Sequence, residues 1–279
     1  MQSNKPSNQF NNQDLVKVKQ VKNYAEISKV KLRKQIPNVK RLSKGHHINL
    51  ATGEVIEDNP SYNRADSYYL EVCNRNLAEL IKHNFIDCDK VLLLTLSYNQ
   101  KHSDHKKVTE DFKRFIKNLR NKIIEFGKID YISKLELYAD LVNFHIHAIL
   151  FFNNTSDKVF IEREVIDKIW GKGFVYIEKP KNENQVVAYL TPHKVKVITE
   201  ENRHMHEKAL RNEFLPAGIR FYRYSSGIKK PITYIDIYEN AVQDLKDKGF
   251  SYNSTSFLAS PVNNSGDRKF YYIKERYTK

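Results

Sequence analysis

Two histidines separated by a single residue, His145 and His147, lie in the apolar segment NFHIHAILFF (143–152). The segment is rich in residues that favour β-structure and predicts a buried strand, on which alternate side chains point to the same face. Both imidazoles should therefore project together from a rigid sheet. A buried face accommodates two polar rings only if a partner satisfies them, and a divalent metal ion would do so. In a basic protein this pattern suggests metal-assisted chemistry on nucleic acid, although a chance pair among ten histidines is the alternative.

A second pair, His204 and His206, lies in the polar stretch ENRHMHEKAL. Polar sequence of helical period offers no rigid pocket, so this pair is expected to be exposed and free of metal.

A third ligand is predicted on the segment before the histidine strand. IDYISKLELYA (129–139) reads as a strand, and a hairpin would bring Glu136 close to the two histidines. Two histidines and one carboxylate leave coordination positions open for water and a phosphate oxygen, and mixed nitrogen and oxygen ligation suits Mn²⁺ or Mg²⁺. Asp140 is the rival third ligand, and an exposed carboxylate beside Lys134 is the alternative for Glu136.

A nucleophile is predicted at Tyr189, in a helix through NQVVAYL that Asn182 or Asn184 could cap. A tyrosine that attacks a phosphate forms a covalent phosphotyrosine, which conserves the bond energy for later rejoining. Because the chain has seventeen tyrosines, core packing is the alternative for any one of them.

The composition indicates a polyanionic partner. The net charge is +14, and seventeen tyrosines and fifteen phenylalanines could stack on unpaired bases. Nucleic acid is the first choice and an anionic membrane surface the second. Cys73 and Cys88 lack zinc-type spacing, which favours reduced thiols. With no signal-type or membrane-length apolar stretch, a soluble cytoplasmic protein without membrane contact is expected.

The elements that must position these residues follow from periodicity. Between residues 91 and 196 the predicted order is β-α-β-β-α-β-α, which indicates an α+β fold with a central antiparallel sheet and flanking helices of the split βαβ kind. The segment GKGF at 171–174 lacks phosphate-loop spacing, which argues against a nucleotide-driven helicase. The predicted segments are helices at 67–85, 104–126, 157–169 and 182–190, and strands at 48–58 (two short pieces), 91–98, 129–139, 143–152 and 173–179.

Three regions are predicted along the chain. Residues 1–44 read as a basic, partly disordered arm whose second part could be a frayed amphipathic helix. Residues 45–232 form a central domain with extensions, which holds the candidate site residues. Residues 233–279 form an accessory segment with strand-like YIDIY and FYYIKERY, to which the sequence gives no role.

Three motifs together resemble a known group of enzymes. LLLTLSY (92–98), FHIHAIL (144–150) and AYLT (188–191) occur in the order of the three motifs of the HUH endonuclease superfamily. More narrowly, the chain resembles the rolling-circle replication initiators of bacterial plasmids and phage-like elements, over roughly residues 45–232. The narrower resemblance rests on INLATGE, IWGKGFVYIEK and PAGIRFYRYSSGIKKP (216–231).

The resemblance implies a role for each candidate residue. His145 and His147 would bind the metal, Glu136 would complete the triad, and Tyr189 would attack one phosphodiester of single-stranded DNA. The implied product is a 5′-phosphotyrosine with a free 3′-OH that primes replication. The implied substrate is a replication origin, expected to be a hairpin, with a host helicase and polymerase as partners in a bacterial cell.

The third motif departs from the pattern of its relatives. They often carry a second tyrosine four residues after the first, where this chain has His193, and a lysine three residues after it, where this chain has Pro192. Pro192 should end or kink the helix. We expect a single-tyrosine mechanism in which His193 accepts the proton and Lys194 or Lys196 supplies the missing charge. A degraded initiator that binds DNA without cutting it is the alternative.

Basic and aromatic residues after the third motif predict a DNA-contacting element. An ordinary solvated strand and turn is the alternative. The candidates for DNA binding are Lys194, Lys196, Arg220, Tyr222, Arg223, Lys229 and Lys230.

Other functional classes fit less well. The βαββαβ order also suits an RNA-recognition sheet, but that sheet would carry aromatics where this chain has histidines. A conjugative relaxase usually has its tyrosine before the histidine strand, and a single-strand transposase is usually shorter.

Overall fold

The computed structural model describes residues 10–29, 39–43, 46–50, 52–57, 67–100, 102–153, 155, 158–195, 197–216, 218–259 and 271–279. The chain divides into two compact units. One spans Ser61–Lys230, and the other combines Met1–Pro60 with Pro231–Lys279.

The described part of the chain contains strands and helices in the following order. The strands are β1 (Leu15–Val21), β2 (Tyr24–Lys29), β3 (Val39–Ser43), β4 (His46–Asn49), β5 (Val55–Glu57), β6 (Val91–Leu96), β7 (Asp130–Leu137), β8 (Phe144–Phe151), β9 (Val175–Glu178), β10 (Arg223–Tyr224), β11 (Ile232–Ile237), β12 (Ser251–Ala259) and β13 (Tyr271–Thr278). The α-helices are α1 (Ser67–Asn84), α2 (His105–Lys122), α3 (Arg163–Trp170), α4 (Glu183–Leu190), α5 (Glu200–Arg211) and α6 (Tyr238–Asp247).

The unit Ser61–Lys230 is built on one five-stranded sheet. Its strand order is β10-β7-β8-β6-β9, and every neighbouring pair is antiparallel. All eight residues of β8 are buried, because helices cover both faces. The predicted α+β class and the element order between 91 and 196 are confirmed.

The long helix α2 begins where its sequence predicts. The Asp104 side chain accepts hydrogen bonds from the backbone N–H groups of Lys106 and Lys107, which satisfies two free donors of the first turn. Five spaced apolar residues pack into the core, and each fully buried aliphatic or aromatic side chain stabilises the fold by about 1.5–3 kcal/mol. They are Val108, Phe112, Phe115, Ile116 and Leu119.

Two helix boundaries differ from the prediction. The α-helix ends at Lys122 and a 3₁₀ turn occupies Ile124–Phe126, closed by Gly127 at φ 71°. The helix predicted at 157–169 begins at Arg163, because the backbone before it is extended and the Val159 N–H bonds to the Asp89 carbonyl.

The other unit contains a second antiparallel sheet, of order β11-β1-β2-β13-β12. Helix α6 packs on it through Ala241 and Leu245. The strands predicted at YIDIY and FYYIKERY are confirmed as β11 and β13.

The prediction of an arm or frayed helix at residues 15–44 is wrong for residues 15–29, which form β1 and β2. In LVKVKQV the buried residues Val16 and Val18 alternate with lysines, which is the period of a strand. The N-terminal residues 1–14 are predicted to be disordered. Residues 1–9 lie outside the described residues, but the prediction is wrong for residues 10–14, because Phe10 packs in the core of this unit and the Asn11 N–H donates to the Asp14 carboxylate. The two ends of the chain therefore pair in one sheet, and the predicted regions 1–44 and 233–279 are not separate pieces.

The strands β3, β4 and β5 form a three-stranded sheet in that order. The two extended pieces predicted around Thr52-Gly53 are β4 and β5, and Gly53 adopts φ 71°, which favours glycine. Among the residues that the structure describes, no helix is both long and apolar enough to cross a membrane.

Candidate metal and tyrosine site

The register of the sheet brings the predicted metal ligands together. Glu136 of β7 lies directly opposite His145 of β8, as the hairpin prediction required. His147 lies opposite Lys134 on one side and Thr95 of β6 on the other. Since paired residues share a face, all five side chains emerge on one side of the sheet.

The three ligand atoms form a tight group. The Nε2 atoms of His145 and His147 are 2.9 Å apart, and Oε2 of Glu136 lies 3.1 Å from His147 Nε2 and 3.8 Å from His145 Nε2. Among the described residues this is the only cluster of His, Cys, Asp or Glu whose ligand atoms lie within 4.8 Å of one another. Asp140, the rival ligand, instead accepts the backbone N–H groups of Val142 and Asn143 in the turn of the hairpin.

The chemistry of this donor set suits a divalent cation. Burial, and then the neighbouring His147, lowers the pKa of His145 to about 3, and burial also lowers the pKa of His147. Both imidazoles are therefore neutral at pH 7 and have a lone pair to donate. His147 also has the second contact usual for a metal-binding histidine, because its Nδ1 lies 3.0 Å from Thr95 Oγ1. His145 Nδ1 is buried with no hydrogen-bond partner among the described residues.

The carboxylate of Glu136 is held ionised by its neighbours. Burial on its own would raise its pKa, but the neighbouring His147 and two lysines outweigh that effect and hold the pKa well below its usual range. Lys134 Nζ lies 3.4 Å from Oε1, and Lys208 Nζ lies 3.1 Å from Oε2. The anionic ligand is therefore contacted by one ammonium group on each oxygen.

Lys134 has a structural role that the sequence did not reveal. Its side chain is completely buried, donates to the backbone carbonyl of Leu190 at 3.4 Å, and lies 4.5 Å from the ring centre of Phe221. Burial lowers its pKa to about 8, against the opposing effect of Glu136. The sequence did contain one indication of this role. Lys134 and Glu136 are two residues apart on a predicted strand, which places both side chains on the same face.

The predicted nucleophile lies beside the ligand group. Helix α4 begins after Asn182, whose side chain accepts the Gln185 N–H as predicted. The Tyr189 hydroxyl is 2.7 Å from Thr95 Oγ1, and its ring meets the His147 ring edge-on with centroids 4.9 Å apart. Burial raises the pKa of Tyr189 above its usual value, while the Thr95 hydrogen bond partly offsets that rise. Thr95 thus contacts both the predicted nucleophile and a predicted metal ligand, a role that the sequence did not reveal.

Helix α4 ends at Leu190, just before Pro192, as the proline predicted. His193 is exposed and lines a cavity with Asn74, Pro192 and Lys194. Within the described residues, no hydrogen bond joins His193 to Tyr189, whose hydroxyl is engaged by Thr95.

The candidate DNA-binding residues fall into several environments. Lys194 forms an ion pair with Glu213, and Lys196 lies outside the described residues. Arg220, Lys229 and Lys230 are exposed.

The strand β10 and the residue before it supply two more of these candidates. Tyr222 and Arg223 are half-buried, and the Tyr222 ring stacks near Tyr224 with centroids 6.2 Å apart. Tyr224 pairs with Ile132, so it lies on the face of the sheet that also carries Glu136. Tyr224 therefore lies on the same face of the sheet as the ligand group.

The pair His204 and His206 lies on α5, outside the metal-capable cluster. His204 is exposed, and His206 is half-buried and accepts the backbone N–H of Val195.

Comparison with protein families gives one match. Residues 91–196 match a family of replication-associated proteins, described as Replication-associated protein ORF2. The match covers less than half of the chain and includes Thr95, the three ligands and Tyr189, but not Lys208. This match agrees with the predicted resemblance to replication initiators over residues 91–196, where the chain is similar to replication-associated proteins.

Comparison with solved structures adds little. The N-terminal nuclease domain of non-structural protein 1 of minute virus of mice matches with 14% identity over 83% of this chain and 75% of its own. That domain is described as having Zn²⁺ coordination in its active-site pocket and recognising DNA at the origin of replication. The TM-score of 0.15 is too low to support an argument about this chain. No curated protein matches the chain significantly.

Proposed function

We propose that this protein is a site-specific single-stranded DNA endonuclease that initiates rolling-circle replication by tyrosine attack on a phosphodiester. The family match to a replication-associated domain supports the general role. The observation that carries the specific proposal is the contact chain in which Thr95 Oγ1 lies 2.7 Å from the Tyr189 hydroxyl and 3.0 Å from His147 Nδ1. It couples a nucleophile to a metal-capable group.

Glu136, His145 and His147 would hold the metal, for which Mn²⁺ or Mg²⁺ is proposed. A bound divalent ion would supply Lewis-acid polarisation of the phosphate and help to position it. Histidines that use Nε2 as a ligand carry their remaining proton on Nδ1. His147 Nδ1–H would then donate to Thr95 Oγ1, which leaves the Thr95 hydroxyl to donate to the Tyr189 oxygen.

This direction of hydrogen bonding prepares Tyr189 for attack. A hydroxyl that donates to the tyrosine oxygen favours the phenolate and so offsets part of the cost of burial. The phenolate oxygen forms a bond to phosphorus, and the bond from phosphorus to the 3′ oxygen breaks. The 5′ part of the DNA is released with a 3′-OH, and the 3′ part stays on Tyr189 as a 5′-phosphotyrosine. His193 remains the proposed proton acceptor, and it would have to turn from its exposed position to reach the hydroxyl.

The proposed partner is single-stranded DNA at a hairpin origin, followed by a host helicase and polymerase that extend the free 3′-OH. The segment from Tyr222 to Tyr224 and the exposed lysines after it are proposed to bind the DNA strand.

A covalent-adduct assay tests the proposal. The protein is incubated with single-stranded DNA of the replicon that encodes it, labelled at either the 5′ or the 3′ end, with Mn²⁺, Mg²⁺ or EDTA, and resolved on a denaturing gel. We expect a metal-dependent protein band that carries only the 3′ label. Tyr189→Phe and His147→Ala should abolish it.

Tyr176→Phe is the matched control, because Tyr176 pairs with Thr95 on the same sheet and is exposed. If the band is lost in Tyr176→Phe and kept in Tyr189→Phe, the protein is still an endonuclease of this class, but Tyr189 is not its nucleophile. Wild-type protein that binds origin DNA without forming any band would favour the second candidate function, a single-stranded DNA-binding protein that does not cut. The burial of the Tyr189 hydroxyl, which raises its pKa, is the observation in favour of that candidate.

A further inference from the structure

Lys208 reaches the ligand group from a separate helix. It lies on α5, beyond the segment that matches the replication-associated family. Its Nζ is 3.1 Å from Glu136 Oε2 and 3.5 Å from His147 Nε2, and its side chain is only 10% exposed. A lysine this buried gives up much of its hydration, so its position needs a reason beyond a solvated helix face.

The amine lies close to both the ligand group and the proposed nucleophile. Lys208 Nζ is 6.0 Å from the centre of the Tyr189 ring, and its two polar contacts are to Glu136 and His147. A phosphate that is attacked by Tyr189 while it is held at the ligand group must lie near both of them. The Lys208 amine is therefore close enough to contact such a phosphate.

The charge balance around Glu136 leaves room for an anion. Its single carboxylate faces two ammonium groups, those of Lys134 and Lys208. Lys134 is fixed by complete burial and by its bond to the Leu190 carbonyl. Lys208 has a long flexible stem and retains partial access to solvent, so it is the cation of the two that can contact a ligand.

We propose that Lys208 is a catalytic residue that binds a non-bridging oxygen of the scissile phosphate through its ammonium group. It neutralises charge that accumulates on the phosphate oxygens as the Tyr189 oxygen attacks. Lys208 forms no covalent bond with the DNA. The inference rests on the proposed function, and it assigns the phosphate-binding cation to α5, whereas the sequence pointed to Lys194 or Lys196.

The test compares Lys208→Met and Lys208→Arg with Arg203→Met. Arg203 is the matched control, because it lies on the same helix, is exposed, and loses the same charge. At saturating DNA, Lys208→Met should slow adduct formation by about 10²–10³-fold, the usual effect of removing one donor to a developing oxyanion. Lys208→Arg should recover part of the rate, and Arg203→Met should leave it unchanged.

Two further measurements separate a phosphate contact from a structural role. The first is the binding constant K of a short single-stranded oligonucleotide, measured in EDTA at several salt concentrations. The slope of log K against log salt concentration should be shallower by about 0.7 in Lys208→Met than in the wild type, as expected for one lost phosphate contact. The Mn²⁺-induced rise in melting temperature should persist, because the three ligands are intact.

An unchanged adduct rate and salt slope in Lys208→Met would overturn the inference. So would loss of the Mn²⁺ response together with the activity, because Lys208 would then only organise the ligands. Absence of any adduct in the wild type would instead count against the proposed function, and the oligonucleotide salt slopes would still report on the phosphate contact.

Discussion

At the scale of single residues, Thr95 connects the two halves of the candidate site. Its hydroxyl contacts both the Tyr189 oxygen and His147 Nδ1, so it orients the proposed nucleophile and a proposed metal ligand together. Neither role depends on Thr95 being reactive. Its contribution is to position the two side chains. A substitution that removes the hydroxyl but keeps the shape of the side chain should therefore reduce that contribution.

Thr95→Val tests this contribution. We expect the rate of adduct formation to fall by about 10-fold or more, because loss of one hydrogen bond to the nucleophile is equivalent to about 1–2 kcal/mol.

A second variant, His193→Ala, tests the proposed proton acceptor, and the rate of adduct formation is measured as a function of pH. If His193 accepts the proton, its removal should flatten the acidic limb of the profile, whereas an unchanged profile would exclude it.

The buried histidines should make stability depend on pH when the metal is removed. The folded-state pKa of His145 is about 3, below its ordinary value of 6.5. The unfolded chain therefore binds more protons than the folded chain between these values, and stability falls as pH falls through that range. Between pH 6.5 and 5 the loss should be up to about 2 kcal/mol for this residue.

The measurement is urea denaturation in EDTA at pH 7.5, 6.5 and 5. His145→Asn should reduce the pH dependence, while His204→Asn, on an exposed residue, should leave it unchanged. Equal slopes in wild type and His145→Asn would contradict the assigned environment.

At the scale of elements, a buried lysine joins the strand of one ligand to the helix of the nucleophile. Lys134 of β7 contacts Glu136 and donates to the carbonyl of Leu190, the last residue of α4. The end of a helix leaves carbonyl groups without internal partners, and Lys134 satisfies one of them. The distance between Tyr189 and the ligands therefore depends on this side chain.

Lys134→Met should destabilise the fold by about 3 kcal/mol, because it removes one partner of a buried ion pair. The double variant Lys134→Met/Glu136→Gln should lose less stability than the sum of the losses in Lys134→Met and Glu136→Gln, because each single variant already removes the same contact. Urea denaturation in EDTA measures both. An additive double variant would show that the two side chains do not interact energetically.

At the scale of the whole molecule, the candidate site belongs to one of two units with separate cores. The core around the ligand sheet is formed within Ser61–Lys230, and the second core is formed by residues from both ends of the chain. The two sets share no residue among those described. Each unit therefore has its own hydrophobic basis for folding.

A fragment of residues 61–230 should fold alone and retain the metal response. Expected results are a cooperative thermal transition and a rise in melting temperature with Mn²⁺. His147→Ala in the same fragment is the control and should abolish the rise. A fragment without a cooperative transition would show that the second unit is needed for folding.

Much of the site was determined by the sequence itself. The alternation in FHIHAIL, the hairpin to Glu136, the Asp104 and Asn182 caps and the stop at Pro192 all depend on local periodicity and local backbone chemistry. The same reasoning failed at residues 15–29, where Lys17 and Lys19, which alternate with Val16 and Val18, drew attention to charge and away from the period of a strand.

Only the tertiary structure decided which distant side chains meet. Lys208 lies in a polar stretch that predicts a solvated helix face, yet its amine contacts a carboxylate 72 residues earlier in the chain. Thr95 and Tyr189 are 94 residues apart, and only the packing of α4 on the sheet gives them a hydrogen bond. Periodicity indicates which face a residue occupies, but the partner across a helix–sheet interface depends on how the elements pack, which no local pattern encodes.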